Sequence, residues 1–520
     1  MTIGQNFPGS KFNVNSSATP PDCEGFVGPG FFVEFINGSY AVYSKTNGAN
    51  LKRISDLSFW SNSNPPLSQD AGVSDPRVIY DPLSQRWFAS MVDFDGSAAS
   101  DPSLESNDFL LGVSDTSNPR GTWHTFLFQA DPDTGAFADF PTLGIDSNAV
   151  YLAGDFYHGE DNPLGPGLVS IPKADLLLAN PTITNRTWFG VMDYDQRGDV
   201  LQPVVCLDAS SHGKVIATSD IGNDSDPHSN IVSFAVQNGG AAGATLSAST
   251  FIPTLPWIVP DSPYLGAPGF APIQPDGSDT LQANEARFSA NVYAVAGVLY
   301  AVHSTYFNDH IAIRWYRIRA ADNVLLESGT IADPNLDLFF PSIAANSAGV
   351  VVIGFNGCSI DTFITSFAIA GQTINGVTTF GSRLLLRAST GNYHDLYESI
   401  GFSDTSRWGD YSATSVDPTD PNRFWTIQMY AVPDSGFDDW ATQITELITV
   451  PQAVLSVARA GTNVNVSWPS GATGFQLQST TNLTAAITWA NVSQTPQTNG
   501  AQLFVQLPAA AKSQFFRLKK

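Results

Sequence analysis

The chain predicts an all-β protein, a seven-bladed β-propeller followed by a small C-terminal β-sandwich. Three observations carry that reading. A short grammar recurs seven times: a polar or Pro/aromatic cluster, a β run, a turn, then a more apolar β run. Repeats of roughly 50 residues with several strands each are propeller blades rather than one ordinary sandwich. After Pro451 the grammar changes to alternation of polar and apolar residues with period two, the pattern of half-buried strands.

The first copy is degenerate, DCEGFVGPGFFVEFING from Asp22 to Gly38. The second reads SDPRVIYDPLSQRWFASMVDFD (Ser74–Asp95) and the third DFPTLGIDSNAVYLAGDFYHG (Asp139–Gly159). The later copies begin at Leu201, Ala286, Phe339 and Arg407. Unit two supplies four runs rich in aromatic and β-branched residues: Val78–Asp81, Arg86–Asp93, Asp108–Ser114 and Thr122–Gln129. Such runs read as strands. Asp-Pro, Ser-Asn, Asn-Gly and Ala-Gly signals separate the strands where hairpins need tight turns. Helical periodicity is scarce, and Ile171–Asn180 is the best candidate for a short helix.

Unit seven shows only three strands, Tyr411–Val416, Arg423–Tyr430 and Ala441–Val450. A propeller must close its ring, because an open edge leaves backbone groups unpaired. Residues 2–15 are therefore expected to supply the missing strand of the last blade. The expected domains are a propeller over 1–450 and a sandwich over 451–520. Trp468, Phe475, Leu477, Trp489 and Phe516 are the expected core anchors of the sandwich.

The chain has 24 Lys+Arg against 48 Asp+Glu, a formal net charge of −24. That field repels nucleic acid, and no basic cluster reverses it locally. No apolar run approaches the length of a membrane span. The acidic, lysine-poor, Asn/Ser-rich composition suits an exported bacterial protein, so an extracellular or cell-surface location is expected, with any signal peptide removed. Cys23, Cys206 and Cys358 lie in different units. They allow at most one disulfide and read as buried apolar residues. No organic cofactor motif is present.

Propeller geometry sorts residues by face. The loop leading into each innermost strand and the loop joining the second and third strands share one face. Asp75, Arg77, Asp139, Phe140, Gln202, Glu285, Arg287, Phe340, Arg407, Trp408, Asp410 and Tyr411 are thus expected to ring the axis there. Four of the seven histidines (His158, His228, His303 and His310) fall in or beside the second-to-third loops. Acidic, cationic and aromatic side chains on one face are the make-up of a ligand pocket, with Arg pairing carboxylates and aromatics stacking on sugar rings.

Three chemistries are open at that face. Asp75, Asp139, Glu285 and Asp410 supply candidate acid and base or nucleophile for glycoside cleavage; alternatively each Asp caps its own turn. Arg77, Arg287 or Arg407 can neutralise a uronate while Tyr306, Tyr411 or His303 moves a proton in β-elimination, or the same groups only tile the mouth with ion pairs. Phe140 and Trp408 are candidate stacking platforms. Calcium is the one cofactor expected, as a structural ion on the oxygen-rich Asp220, Asp224 and Asp226, or at D-x-D-x-G over Asp131, Asp133 and Gly135; solvated acidic loops are the alternative. Zinc on His158, His228 and His303 matches no known spacing.

The blade grammar over roughly 20–450 resembles seven-bladed propellers of the broad group of secreted sialidases, propeller glycosidases and propeller polysaccharide lyases. The Asp-box S-x-D-x-G-x-x-W is absent. VNVSWP, GFQLQSTTNL and FFRLKK near the C-terminus resemble fibronectin type III-like modules. The resemblance implies a secreted carbohydrate-active protein with a polysaccharide or glycan partner, hydrolase or lyase. The second reading is a non-catalytic extracellular protein for glycan binding, adhesion or assembly, which expects a plugged axis.

Overall fold

The computed structural model describes the 520-residue chain apart from residues 98–100, 160–161, 211–212, 220–226, 261–269, 284–285, 402, 433–435, 450–452, 471, 473, 485–486, 500–501, 510–512 and 520. Seven antiparallel sheets form the blades. Their innermost strands are Glu24–Val27, Ala71–Asp81, Phe137–Ile145, Asp199–Pro203, Tyr293–Val295, Asp337–Ala345 and Ala413–Val416. The innermost strand of blade 7 packs beside that of blade 1, which closes the ring. The protein is all β, a propeller followed by a sandwich, with only short helices between strands. Among the described residues no helix is long and apolar enough to cross a membrane.

Inner strands in blades 2, 3 and 6 begin well before the apolar runs that announce them. The proline-marked cluster before Val78 reads as a loop, yet Ala71–Asp81 is one strand. The reason is a bulge repeated around the ring. Register slips at the same place in four blades, between Ser74 and Arg77, Asp139 and Thr142, Asp199 and Gln202, and Phe339 and Ser342. Asp75, Phe140, Val200 and Phe340 there take φ of 61°, 49°, 48° and 46°. Pro76, Pro141 and Pro341 follow three of them. A bulge position needs no ladder N–H, so proline is tolerated, and the extra residue re-aims its side chain. Asp22, with φ 49°, stands at the head of blade 1 in the same conformation.

Blade 7 takes its outermost strand from the N-terminus. Thr2–Lys11 runs antiparallel to Trp440–Ile448, from Thr2 opposite Ile448 to Lys11 opposite Ala441. The seam is held from blade 1 as well. Buried Glu34 accepts from Ser10 N (3.0 Å), Ser10 Oγ (2.8 Å) and Tyr43 OH (2.8 Å), and Thr442 Oγ1 donates to it too. One carboxylate thus joins three strands distant in sequence. At the far end of the axis, Val205 pairs in parallel with both Ile145 and Tyr293, so inner strands of adjacent blades bond directly.

The C-terminal sandwich has a four-stranded sheet, with Asn463–Pro469 and Gln502–Pro508 at its centre, and a three-stranded one around Gln476–Thr480. Val466, Trp468, Leu477, Val505 and Leu507 fill it, with Phe475 and Phe516 partly buried against them. Trp489 is not a core anchor: it lies half-buried with the Arg517 guanidinium 4.5 Å over its ring. All three cysteines are buried and free.

Replacing Glu34 tests the seam. Glu34→Ala leaves several buried donors unpaired and is expected to lower the unfolding free energy by about 3 kcal/mol, with Glu34→Gln costing less. Denaturant midpoints of the two variants against wild type measure this.

Candidate functional site

The axis is filled at its centre and acidic at one mouth. Arg77, 1% exposed, reaches across the ring from blade 2. Its Nε donates to Pro141 O (2.9 Å) in blade 3 and its Nη1 to Ser289 O (2.9 Å) ahead of blade 5. Glu24 Oε2 from blade 1 lies 3.7 Å from Nη1, and the Tyr411 ring from blade 7 lies 3.5 Å from the guanidinium carbon. Other blades are laced in the same way, side chain to carbonyl. Tyr411 OH donates to Pro76 O, Thr142 Oγ1 to Leu201 O, Gln202 Nε2 to Phe288 O and Ser412 Oγ to Phe340 O. The bulges expose the carbonyls of Pro76, Pro141, Leu201 and Phe340, because they interrupt the ladder that would otherwise use them.

Above this floor the heads of four blades bring carboxylates together. Oxygens of Asp22, Asp75 and Asp410 lie within 4.8 Å of one another. Asn37 fixes two of them, its Nδ2 donating to Asp22 Oδ2 (2.9 Å) and its Oδ1 accepting from Asp75 N (2.9 Å). Asp410 N donates to Asp22 Oδ1 (2.9 Å), and Arg407 Nη2 donates to Asp410 Oδ1 (2.7 Å). Asp139 and Arg407 reach solvent, while Arg287 and Asp410 are half-buried.

Crowding of like charges shows in the proton affinities. Burial, then Asp139 and Asp410, pushes Asp75 up to about 7. Burial, with Asp410 and Asp75, holds Asp22 well above the usual carboxylate range. Asp139 is raised by the protein packed around it and by Asp410, although its surface touches water. Arg407 is raised in turn, chiefly by Asp410. A second acidic pair flanks the site: Asp155 is buried 3.8 Å from Arg287 and is raised by burial and by Asp199. Beneath, burial pushes Glu24 up to about 8 against the opposing pull of Arg77.

Asp75, Asp139, Asp410, Arg287 and Arg407 are therefore gathered at one mouth, and Asp22 joins them. Asp22 went unread because its unit is degenerate and its Asp-Cys opening carries no proline. Four other candidates are drawn into the core. Arg77 and Tyr411 are axial floor, with polar atoms already bonded across blades. Phe140 is buried between Tyr411, at 5.8 Å, and Arg287, at 4.9 Å. Trp408 is buried edge-on against Tyr393 and donates Nε1 to Asn356 Oδ1 (3.3 Å), so neither ring offers a face to a sugar.

His303 is also a core residue rather than a proton carrier. It stacks on Tyr316 and touches Trp257, which stacks on His228. Its Nε2 pairs with Tyr316 OH (2.9 Å). Burial lowers it to about 3, against a backbone hydrogen bond at Ser304 O and with help from Arg314 and His228. His158 is exposed, and His310 meets Asp337 at 3.1 Å, so the loop histidines share no centre. Glu285 and the calcium candidates Asp220, Asp224 and Asp226 lie outside the described residues. Asp131 spends its carboxylate on its own turn, accepting from Asp133 N, Ala136 N and Thr134 Oγ1. Asp133 accepts from Trp188 Nε1, so this D-x-D-x-G stretch is a capped turn.

Two cavities lie off this mouth. Asp93, Asp95 and Asp108 line a polar one of about 490 Å³ in blade 2. An apolar one of about 260 Å³ opens where the inner strands end, between Val205, Leu207, Tyr293, Val295, Ala345 and Val416.

No protein-family model and no curated protein matches the chain. Among solved structures, a Dyadobacter fermentans protein of unknown function is 13% identical over 73% of this chain and 96% of its own, with a TM-score of 0.38. An α-L-arabinofuranosidase from Fusarium graminearum is 10% identical, covering 86% and 98%, with a TM-score of 0.38. Trypanosoma rangeli sialidase is 9% identical, covering 85% and 83%, with a TM-score of 0.35. The likeness extends to a Drosophila semaphorin, 9% identical with a TM-score of 0.33. Likeness at this level is one of strand arrangement and assigns no activity.

The buried histidine makes stability depend on pH. Its folded value, about 3, lies below the unfolded 6.5. The contribution is therefore complete above pH 6.5 and is lost as pH falls toward 3, on the order of 5 kcal/mol in all. His303→Gln is expected to flatten that part of the loss, as read by denaturant midpoints over the same pH range.

Proposed function

We propose that this chain is an extracellular carbohydrate-active protein that engages a glycan at the acidic mouth of its propeller, as a hydrolase rather than a lyase. The observation that carries the proposal is the convergence of Asp75, Asp139 and Asp410, with Arg287 and Arg407, from separate blades onto one mouth of the propeller. Glycoside hydrolysis needs two carboxyl groups, one to protonate the leaving oxygen and one to act as base or nucleophile. Asp139 is the acid or base best placed for it, since it is the aspartate that reaches solvent. Elimination fits less well, because Tyr411 and His303 have their polar atoms engaged inside the core. Arg287 and Arg407 then orient acidic or hydroxyl-rich substituents. The C-terminal module serves as a fibronectin type III-like spacer.

A second reading, non-catalytic glycan binding or assembly, is favoured by one feature, the axis plugged by Arg77. A plug does not forbid chemistry at the mouth above it, but it restricts any ligand to that shallow surface.

A panel of polysaccharides incubated with the protein, followed for new reducing ends and for the absorbance of unsaturated uronates, separates the readings. Hydrolysis is expected, giving reducing ends without absorbance. Asp139→Asn is expected to cut turnover about 10²–10⁴-fold, the range for loss of an acid–base group, with little change in unfolding midpoint. An Asp139→Asn/Arg287→Ala double variant of full activity sinks the proposal. Binding without turnover, lost in Arg287→Ala, establishes the second reading.

A further inference from the structure

The three inner carboxylates of the mouth are arranged as ligands. Asp22, Asp75 and Asp410 come from three blades, and their oxygens lie within 4.8 Å of one another. Clustered acids alone are common, so a second observation decides. Asp75 is 7% exposed and aimed into the cluster, yet its carboxylate accepts no hydrogen bond and makes no ion pair among the described residues. Its neighbours differ. Asp22 is held by Asn37 and by Asp410 N, and Asp410 by Arg407 through Oδ1 alone. Asp75 thus keeps both carboxylate oxygens free of protein donors among the described residues and open to a ligand.

From this we infer that Asp22, Asp75 and Asp410 bind a calcium ion at the mouth of the propeller. The donors are all hard oxygens, which suits Ca²⁺ and Mg²⁺ and disfavours softer metals. Flexibility selects between the two. Calcium accepts an irregular sphere of protein carboxylates completed by water, whereas magnesium demands near-ideal octahedral geometry and gives up its water reluctantly. Three carboxylates from separate blades, with oxygens within 4.8 Å of one another, suit the more tolerant ion. Arg407 lowers the affinity through its charge but does not abolish the site, because its hydrogen bond occupies one oxygen of Asp410 and none of Asp75. The rest of the coordination sphere faces the mouth, where water completes it. This site stands whether or not the glycan reading does, because it is tested by the metal alone.

The test is calorimetric titration of Ca²⁺ into the chelator-treated full chain, paired with thermal unfolding. Wild type is expected to bind one ion abolished or weakened at least tenfold in Asp75→Asn and in Asp410→Asn, and unaltered in Asp133→Asn. Saturating calcium is expected to raise the wild-type Tm by a few degrees, and this shift disappears in Asp75→Asn. Without calcium, Asp75→Asn is at least as stable as wild type, since it removes a repulsion, so loss of binding is not mistaken for unfolding. No binding by wild type up to about 5 mM, beyond the weak range of extracellular calcium modules, overturns the inference. So does undiminished affinity in both folded variants.

Discussion

One guanidinium at the centre of the ring carries more of this architecture than any other group. Blades are held to their neighbours mainly by apolar faces, and such packing is indifferent to how the inner strands slide along the axis. Arg77 removes that freedom. Its planar fork takes two carbonyls from different blades at fixed angles, lies on the Tyr411 ring, and faces Glu24. Lysine offers a point charge with no fork and no stacking face, and so does not replace it. The cost is a buried ion pair of imperfect geometry: Glu24 is 3.7 Å away and Arg77 Nη2 has no hydrogen-bond partner. Such a pair is weak evidence for stability. Its contribution here is register, shared among five blades.

The plug also determines where chemistry can occur. With the axis filled, any ligand must approach the ends, and the two ends differ. At one, parallel pairing through Val205 and apolar side chains leave a greasy cavity. At the other, a positive φ turns Asp22 and Asp75 onto the mouth, and Asp410 arrives beside Gly409 (φ 153°). The same backbone device carries Phe140 and Val200 in the next two blades, where the side chains join Tyr411 in a small apolar cluster instead. Backbone strain at a positive φ costs roughly 1–3 kcal/mol and persists only where its surroundings impose it. Here one strained motif is repeated as scaffold, and its residue type varies between carboxylate and hydrophobe.

Periodicity made the fold legible. Strands such as Arg86–Asp95, Asp108–Ser114 and Val324–Ile331 agree with their apolar alternation to within two residues. Inner-strand starts were harder to read, because Asp75-Pro76 and Phe140-Pro141 look like turns, and the bulge that lets a strand run through them leaves no mark in composition. Topology placed Asp75, Asp139, Arg287, Arg407 and Asp410 on one face. It could not distinguish depth. Arg77 and Tyr411 lie one or two residues beyond bulge or mouth positions, and that step takes them from the surface to the axis, where alternation along a strand decides everything. Trp408 and Phe140 follow the same rule: an aromatic at a blade head fills the wedge between blades before it offers a face to a ligand.

The mouth is thus an electrostatic problem imposed by the scaffold. Closing the ring brings blades 1, 2 and 7 together whatever residues stand at their heads, and this sequence places an aspartate at each. Two arginines answer part of that charge, Arg407 directly on Asp410 and Arg77 from below. What remains must be met by protons, by a cation or by the polar groups of a ligand. Protons meet part of it, since Asp75 is pushed up to about 7. A cation meets it with three oxygens at once. The concentration of carboxylate at one end of the axis, rather than the propeller itself, distinguishes this face from the apolar end opposite.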